Sequence, residues 1–252
     1  MILGLEFPPI SHTIEWPTLF GGGALAVNKV ILFMWISAVI AFLILFLGGR
    51  KQALVPKGVQ NVAESAVDFV QDQVVLQTMG PDGLPWTPFL LTLFTFILTC
   101  NIWGLIPGVQ MPVNARIALP AFMAIVVWLI YNIVGIWKQG PIGYFKNMAF
   151  PPGVPKALYI LVTPIEIVST LLVRPLSLSV RLFANMLAGH LLLVSFAVIT
   201  QALFESTYAG AALPLALLIA LSAFEILVAF LQAYIFTILA AVFIGGAMHP
   251  EH

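Results

Sequence analysis

Charged residues are scarce in this sequence. They make up 8% of its 252 residues, whereas a soluble domain carries roughly 25%. Hydrophobic residues make up 61%, and the mean hydropathy is +1.07. A chain with so few charges cannot cover a water-facing surface, so lipid is the expected solvent for most of it. The formal net charge is zero, which argues against nucleic acid as a partner.

Other features are also missing. One cysteine, Cys100, excludes an internal disulfide. A secretory signal is not indicated, because the start lacks a basic region and the first apolar run is too long, so we expect a mature chain. No hydrolase motif is present, which weakens an intramembrane hydrolase interpretation. His249, Glu251 and His252 lack a further ligand nearby, so we expect neither a metal site nor a cofactor.

Long apolar runs supply the roughly 20 residues that each membrane span needs. We predict an all-α integral membrane protein, one domain over 1–252, with five membrane helices and one interfacial amphipathic helix. The predicted segments are an external N-terminal part at 1–23, a first span at 24–47, a cytoplasmic surface helix at 58–78, a helical hairpin at 87–137 and two long helices within 157–247.

The last two helices are too long for a perpendicular crossing. Residues 157–203 would reach about 70 Å as a helix, and 213–247 about 52 Å. Strong tilt or breakage must follow, and Pro164 and Pro175 can supply kinks. The stretch 139–156, between the hairpin and the first of these two helices, is rich in proline and glycine, which predicts a loop.

The segment 58–78 differs from the spans. Between Val59 and Val74 its apolar residues follow the one-face spacing of an amphipathic helix, with Gln60 and acidic residues on the other face. We expect this helix to lie along the membrane surface or against a partner.

Basic residues set the predicted orientation. Cytoplasmic loops carry the excess of lysine and arginine. One side of the predicted topology holds Arg50, Lys51, Lys57, Lys138, Lys146 and Lys156, and the other only Lys29 and Arg116. The N-terminus is therefore predicted outside and the C-terminus in the cytoplasm.

Few ionisable residues lie within the spans: Glu166, Arg174, Arg181, His190 and Glu225. An arginine at a helix centre costs about 2.5–3.5 kcal/mol on insertion scales. Snorkelling is an alternative for Arg174, which lies near a helix end, but not for Arg181. Intramembrane ionisable residues are functional by default, so we expect Arg181 to have a use or a partner.

Helix geometry separates these residues into faces. One stripe is formed by Arg174, Ser177, Leu178, Arg181, Ala184, Asn185 and Ala188, and small residues in it permit close approach of a helix. His190 falls on the opposite face. If the last two helices form a hairpin turning near Tyr208, residues at equal depth have numbers that add to about 416. This condition pairs His190 with Glu225 and Asn185 with Gln232, either as a proton-exchanging unit or as structural polar pairs between helices.

Two segments carry a family resemblance. Residues 174–190, RPLSLSVRLFANMLAGH, and 231–236, LQAYIF, closely resemble the signature of subunit a of bacterial F-type ATP synthases. The helix layout is also similar, and the resemblance covers nearly the whole chain. It implies a non-catalytic subunit of the plasma membrane, without an ATP site of its own.

The resemblance implies a stator beside a rotating ring of c subunits, with b-type stalk subunits and the rest of the F1F0 complex as further partners. Arg181 would face the ring carboxylate and keep it ionised. Asn185, His190, Glu225 and Gln232 would line an external half-channel, and Ser177 and Arg174 an internal one. Protons are the expected ion, with sodium the less favoured alternative.

The sequence departs from that family pattern at three positions. His190 and Glu225 are exchanged relative to the commonest arrangement, which preserves the pair but leaves open which residue accepts the proton first. Glu166 resembles a carboxylate near the inner opening, although its spacing from Arg181 is one residue longer. The competing interpretations are a stand-alone secondary transporter, which should have inverted repeats, and a purely structural assembly subunit.

Overall fold

A computed structural model of the chain describes residues 18–20, 27–50, 55–106, 113–150, 158–206 and 208–248. The predicted external segment 1–23, apart from 18–20, lies outside the described residues, as do Lys51, Lys156 and the C-terminal histidines. Two short strands, β1 (Thr18–Phe20) and β2 (Val27–Asn28), pair antiparallel. The remaining described residues are mainly helical.

The helices are labelled in chain order. They are α1 (Lys29–Arg50), α2 (Val59–Val70), α3 (Thr87–Ile102), α4 (Ala118–Gln139), α5 (Pro141–Ala149), α6 (Tyr159–Val168), α7 (Arg174–Ser206) and α8 (Tyr208–Met248). Two π-helical turns interrupt the regular pattern, Gln71–Val75 after α2 and Ser169–Val173 between α6 and α7. Short 3₁₀ turns lie at Pro81–Trp86, Trp103–Leu105 and Val113–Ala115.

Within the described ranges, five helical segments are long and apolar enough to cross a membrane. They are Lys29–Arg50, Pro81–Leu105, Ala118–Gln139, Tyr159–Phe204 and Gly210–Met248. Large apolar side chains such as Trp35, Ile133 and Leu172 are exposed on them, as expected where lipid is the solvent. The predicted all-α, multi-pass membrane architecture is confirmed.

The prediction of a loop over 139–156 is wrong in its middle, where α5 forms. Gly140 separates α4 from α5 with a φ of 75°, a conformation that glycine adopts without strain. Pro141 then occupies the first turn of α5, where its missing N–H has no helical acceptor to lose. Proline and glycine here begin a helix rather than exclude one.

The amphipathic helix α2 packs on the chain itself. Ala63 lies so close to Gly48 that a Cβ at Gly48 would overlap it. The Phe69 ring lies 5.5 Å from that of Phe94 and 5.6 Å from that of Tyr234. Gln60, expected on the polar face, is buried and donates to Glu64, which corrects that assignment.

Contacts divide the chain into two compact units, each contributed by several helices. The first comprises residues 1–43, 95–116 and 183–233, and in it the Trp103 indole donates to the buried Ser37 hydroxyl at 2.8 Å. The second comprises 44–94, 117–182 and 234–252. In the second unit, the Tyr144 hydroxyl donates to Asn132 Oδ1 at 2.9 Å. Burial raises the pKa of the Tyr144 phenol, so it keeps this proton at neutral pH.

Replacing Gly135 by alanine should destabilise the packing of α5 on α4, because the new Cβ would overlap the Tyr144 ring. Overpacking of this kind costs about 1–3 kcal/mol. The measurement is the thermal unfolding midpoint of the purified membrane protein. Gly143→Ala is the matched control, since its Cβ would meet only Gln139 Cβ at 3.8 Å. Equal losses in both variants would contradict the packing described here.

Candidate functional site

An amide pair joins α7 to α8 in the first unit. Asn185 Nδ2 donates to Gln232 Oε1 at 2.7 Å, and Gln232 is 2% exposed. The depth matching of the two helices predicted this pair. The antiparallel register of α7 and α8 is therefore confirmed at this point.

His190 and Glu225 line one small cavity, with room for about one water molecule. His190 is buried, and Glu225 is half-buried. The Glu225 carboxyl lies directly over Gly189, where any Cβ would collide with it. The other residues lining the cavity are Asn101, Gly104, Leu105, Met186, Leu193 and Ala229. The structure thus brings the predicted His190 and Glu225 to one cavity.

Sequence reasoning missed two asparagines beside this cavity. Asn101 of α3 donates from Nδ2 to the Ala229 carbonyl at 3.1 Å, and its Oδ1 accepts from Asn114 Nδ2 at 2.7 Å. Both asparagines are buried. The available signal was Asn101 itself, an amide within an otherwise apolar span.

Two buried polar atoms in this unit lack a hydrogen-bond partner among the described residues, Gln232 Nε2 and Asn114 Oδ1. Buried polar groups are nearly always satisfied by protein or by water. A water molecule at either atom would satisfy it.

A second polar group lies in the second unit. Arg174 Nη2 forms an ion pair with Glu166 Oε1 at 2.9 Å, and Thr170 Oγ1 lies 3.4 Å from the same oxygen. The two charged side chains are each about one-third exposed. The Arg174 guanidinium also lies over the Phe243 ring, 5.5 Å from its centroid. Arg174 thus has a specific partner, Glu166, and its position near a helix end does not need to be explained by snorkelling alone.

The π-helical turn Ser169–Val173 explains how Glu166 and Arg174 meet. Residues eight apart on an α-helix are separated by about 80° of rotation, but a π turn absorbs one residue and reduces the offset to about 20°. The same correction applies to the spacing between Glu166 and Arg181.

Arg181 is exposed on α7, and no described residue pairs with it. Four small or short polar residues share its exposed face: Ser177, Ala184, Asn185 and Ala188. Leu182 and Met186, on a neighbouring face of α7, are buried. Leu178, predicted in the stripe of Arg181, is also buried and lies about 60° around the helix from Arg181. The chain thus presents an uncovered cation on a face with room for a close neighbour.

The side chains around the cavity are of kinds that can exchange protons. No group of three or more metal-ligating side chains occurs in the described ranges. A carboxyl, an imidazole and amides around a cavity can relay protons with water, because imidazole changes its charge between about pH 5 and 8 and can exchange a proton with a neighbouring carboxyl group.

Comparisons with known proteins agree on one family. The sequence model of the family described as ATP synthase A chain matches residues 31–245. An ATP synthase subunit a from Frankia alni is 42% identical, over 97% of this chain and 87% of that protein. One from Parafrankia sp. is 46% identical over 84% and 75%, and one from Nitrobacter hamburgensis 40% identical over 96% and 98%.

The register of α7 and α8 predicts a specific cross-link. In a Cys100→Ser background, Asn185→Cys and Gln232→Cys together should cross-link with a short bifunctional thiol reagent. Asn185→Cys with Glu225→Cys is the shifted control, because seven residues move the partner about 10 Å along the helix. Electrophoresis of the reacted protein reads out both pairs. Cross-linking of the shifted pair alone would contradict the register.

Proposed function

The chain belongs to the ATP synthase A chain family and is a membrane component of the F0 sector of an ATP synthase, and we propose that it forms the stationary proton path to a rotating ring of carboxylate-bearing c subunits. The rest of the F1F0 complex is its partner. Contacts with the c-ring and with b-type stalk subunits are part of the proposal. Family membership favours this stator over a stand-alone transporter or a purely structural subunit.

The exposed cation on α7 carries the proposal. Arg181 lies on a highly apolar helix with no partner among the described residues, and its face is lined by small side chains. An uncompensated arginine inside a membrane is costly. A carboxylate on a closely packed neighbouring helix would compensate it, and the arginine would favour the ionised form of that carboxylate.

The first unit supports the external half-channel. Asn185, Gln232, His190 and Glu225 are joined there by a hydrogen bond and a shared cavity, and we add Asn101 to the same path. The buried, unpartnered Gln232 Nε2 is consistent with water at this point. Either His190 or Glu225 can accept the entering proton first.

The second unit supports the internal half-channel. Glu166 and Arg174 form a partly exposed ion pair, and Ser177 is exposed one turn further along α7. In sequence, Arg181 lies between these residues and Asn185 on the same helix. The excess of basic residues in the predicted inner loops orients this group toward the cytoplasm, with the N-terminus outside and the C-terminus inside.

The fixed charge of Arg181 would separate the two half-channels. A proton crossing directly would release about 2.3 kcal/mol per 100 mV without turning the ring. A permanent cation raises the energy of a second positive charge beside it. Protons would therefore pass only on the ring carboxylates.

Replacing Arg181 by alanine should abolish proton-driven ATP synthesis while the complex still assembles. The reason is that the ring carboxylate loses its counter-charge and the barrier between half-channels is lost. ATP synthesis in energised membrane vesicles and recovery of the intact complex are the two measurements.

Arg50→Ala is the matched control for Arg181→Ala. Arg50 lies at the end of α1 with its guanidinium 5.6 Å from the Phe46 ring centroid, outside either polar group. Its loss should leave synthesis intact. Normal coupling in the Arg181→Ala complex would refute the proposal.

Replacing Gly189 by alanine should displace the Glu225 carboxyl, because the added Cβ would occupy its place. We expect proton-driven synthesis to fall roughly tenfold, as about 1.4 kcal/mol on the limiting barrier would produce. Glu225→Asp shortens the side chain and makes room for the added Cβ. Gly189→Ala should therefore reduce proton-driven synthesis less in the Glu225→Asp background than in the unmodified protein. Equal loss in both backgrounds would argue that Gly189 acts elsewhere.

A further inference from the structure

Tyr131 of α4 is a buried residue that the proton path described above does not use. It is 2% exposed, and its hydroxyl donates to the Thr170 carbonyl at 2.6 Å. Its ring lies 5.8 Å from that of Phe243, the ring that also carries the Arg174 guanidinium. Tyr131 therefore contacts the π-helical turn that precedes Arg174.

The Thr170 carbonyl needs a donor because the local helix offers none. In an α-helix it would accept the N–H of Arg174, but that N–H bonds to the Ser169 carbonyl, as a π turn requires. The next residue, Pro175, has no N–H. A buried carbonyl without a partner is costly, and more so where water is absent.

The Tyr131 hydroxyl supplies the missing donor. By doing so it stabilises the turn that absorbs one residue and brings Glu166 into line with Arg174. The Thr170 side chain also approaches Glu166, so the bonded residue links the tyrosine to the ion pair.

We infer that Tyr131 is a positioning residue of the internal half-channel: its hydroxyl sustains the Ser169–Val173 π turn and so sets the register of Glu166 against Arg174 and Arg181. The inference rests on the proposed function of Glu166 and Arg174. The hydroxyl of Tyr131, not its ring, has this role. The residue that sets the register therefore lies on α4, whereas Glu166, Arg174 and Arg181 lie on α6 and α7.

Tyr131→Phe keeps the ring and removes the hydroxyl. In the purified complex, the amides of residues 169–174 and 176 should exchange with deuterium faster, because the turn loses its donor. Proton-driven ATP synthesis should fall roughly fivefold or more, which is the change that about 1 kcal/mol on the limiting barrier produces. Tyr144→Phe is the matched control, since it loses a hydroxyl bond to Asn132 in the same unit without touching the turn.

Pro175→Ala provides the decisive background, because it restores a backbone N–H that can bond to the Thr170 carbonyl. Tyr131→Phe should have little effect on exchange or synthesis in that background. The comparison of effects in the two backgrounds isolates the coupling between the hydroxyl and the proline. An equal loss in both would overturn the inference, since Tyr131 would then act through its ring.

The two readouts separate this inference from the proposed function. Unchanged exchange in Tyr131→Phe would overturn the positioning itself. Faster exchange with normal synthesis would overturn its link to the proton path, whereas normal synthesis in Arg181→Ala would reject the proposed function instead. If Tyr131→Phe does not assemble, recovery of assembly by Pro175→Ala supports the inference, and continued failure overturns it.

Discussion

Water is absent from the interior of a bilayer, so every polar group of a membrane helix must find its partner within the protein or along a water-filled path. This constraint accounts for the arrangement of the chain. Backbone groups are satisfied within long helices, and the exceptions are specific. Where a π turn and Pro175 leave the Thr170 carbonyl without a helical donor, the Tyr131 hydroxyl supplies one.

The same constraint gathers polar side chains into two groups. In the first unit Asn185 bonds to Gln232, while His190 and Glu225 line a shared cavity. In the second, Glu166 pairs with Arg174. Arg181 differs from all of them, because no described residue pairs with it. An arginine left exposed on an apolar helix needs a partner from outside the chain, and the c-ring carboxylate of the proposed function is such a partner.

Features with a strong periodic or compositional signal were predictable from the sequence. Long apolar runs gave the five spans, and equal depth in a hairpin gave the Asn185–Gln232 pair. The π turn was not predictable, because one inserted residue leaves the apolar composition of the segment unchanged. The contact of Tyr131 was not predictable for a related reason. A tyrosine in an apolar span does not show which distant carbonyl accepts the hydrogen bond of its hydroxyl.

The helix α5 and the burial of Gln60 were not predicted, because at both places the local sequence pattern favoured a different structure from the one that forms. Proline and glycine near Pro141 indicated a loop, yet they stand at positions where a helix begins. Gln60 belonged to a polar face by periodicity, but its bond to Glu64 allows it to be buried.

The proposed function requires that Arg181 separate two aqueous routes that open on opposite sides of the membrane. This requirement can be tested with cysteines introduced one at a time by Ser177→Cys and Asn185→Cys, in a Cys100→Ser background. Each would be treated with a membrane-impermeant thiol reagent in right-side-out and inverted vesicles. We expect Asn185→Cys to react only from the external side and Ser177→Cys only from the cytoplasmic side. Reaction of both cysteines from the same side would contradict it.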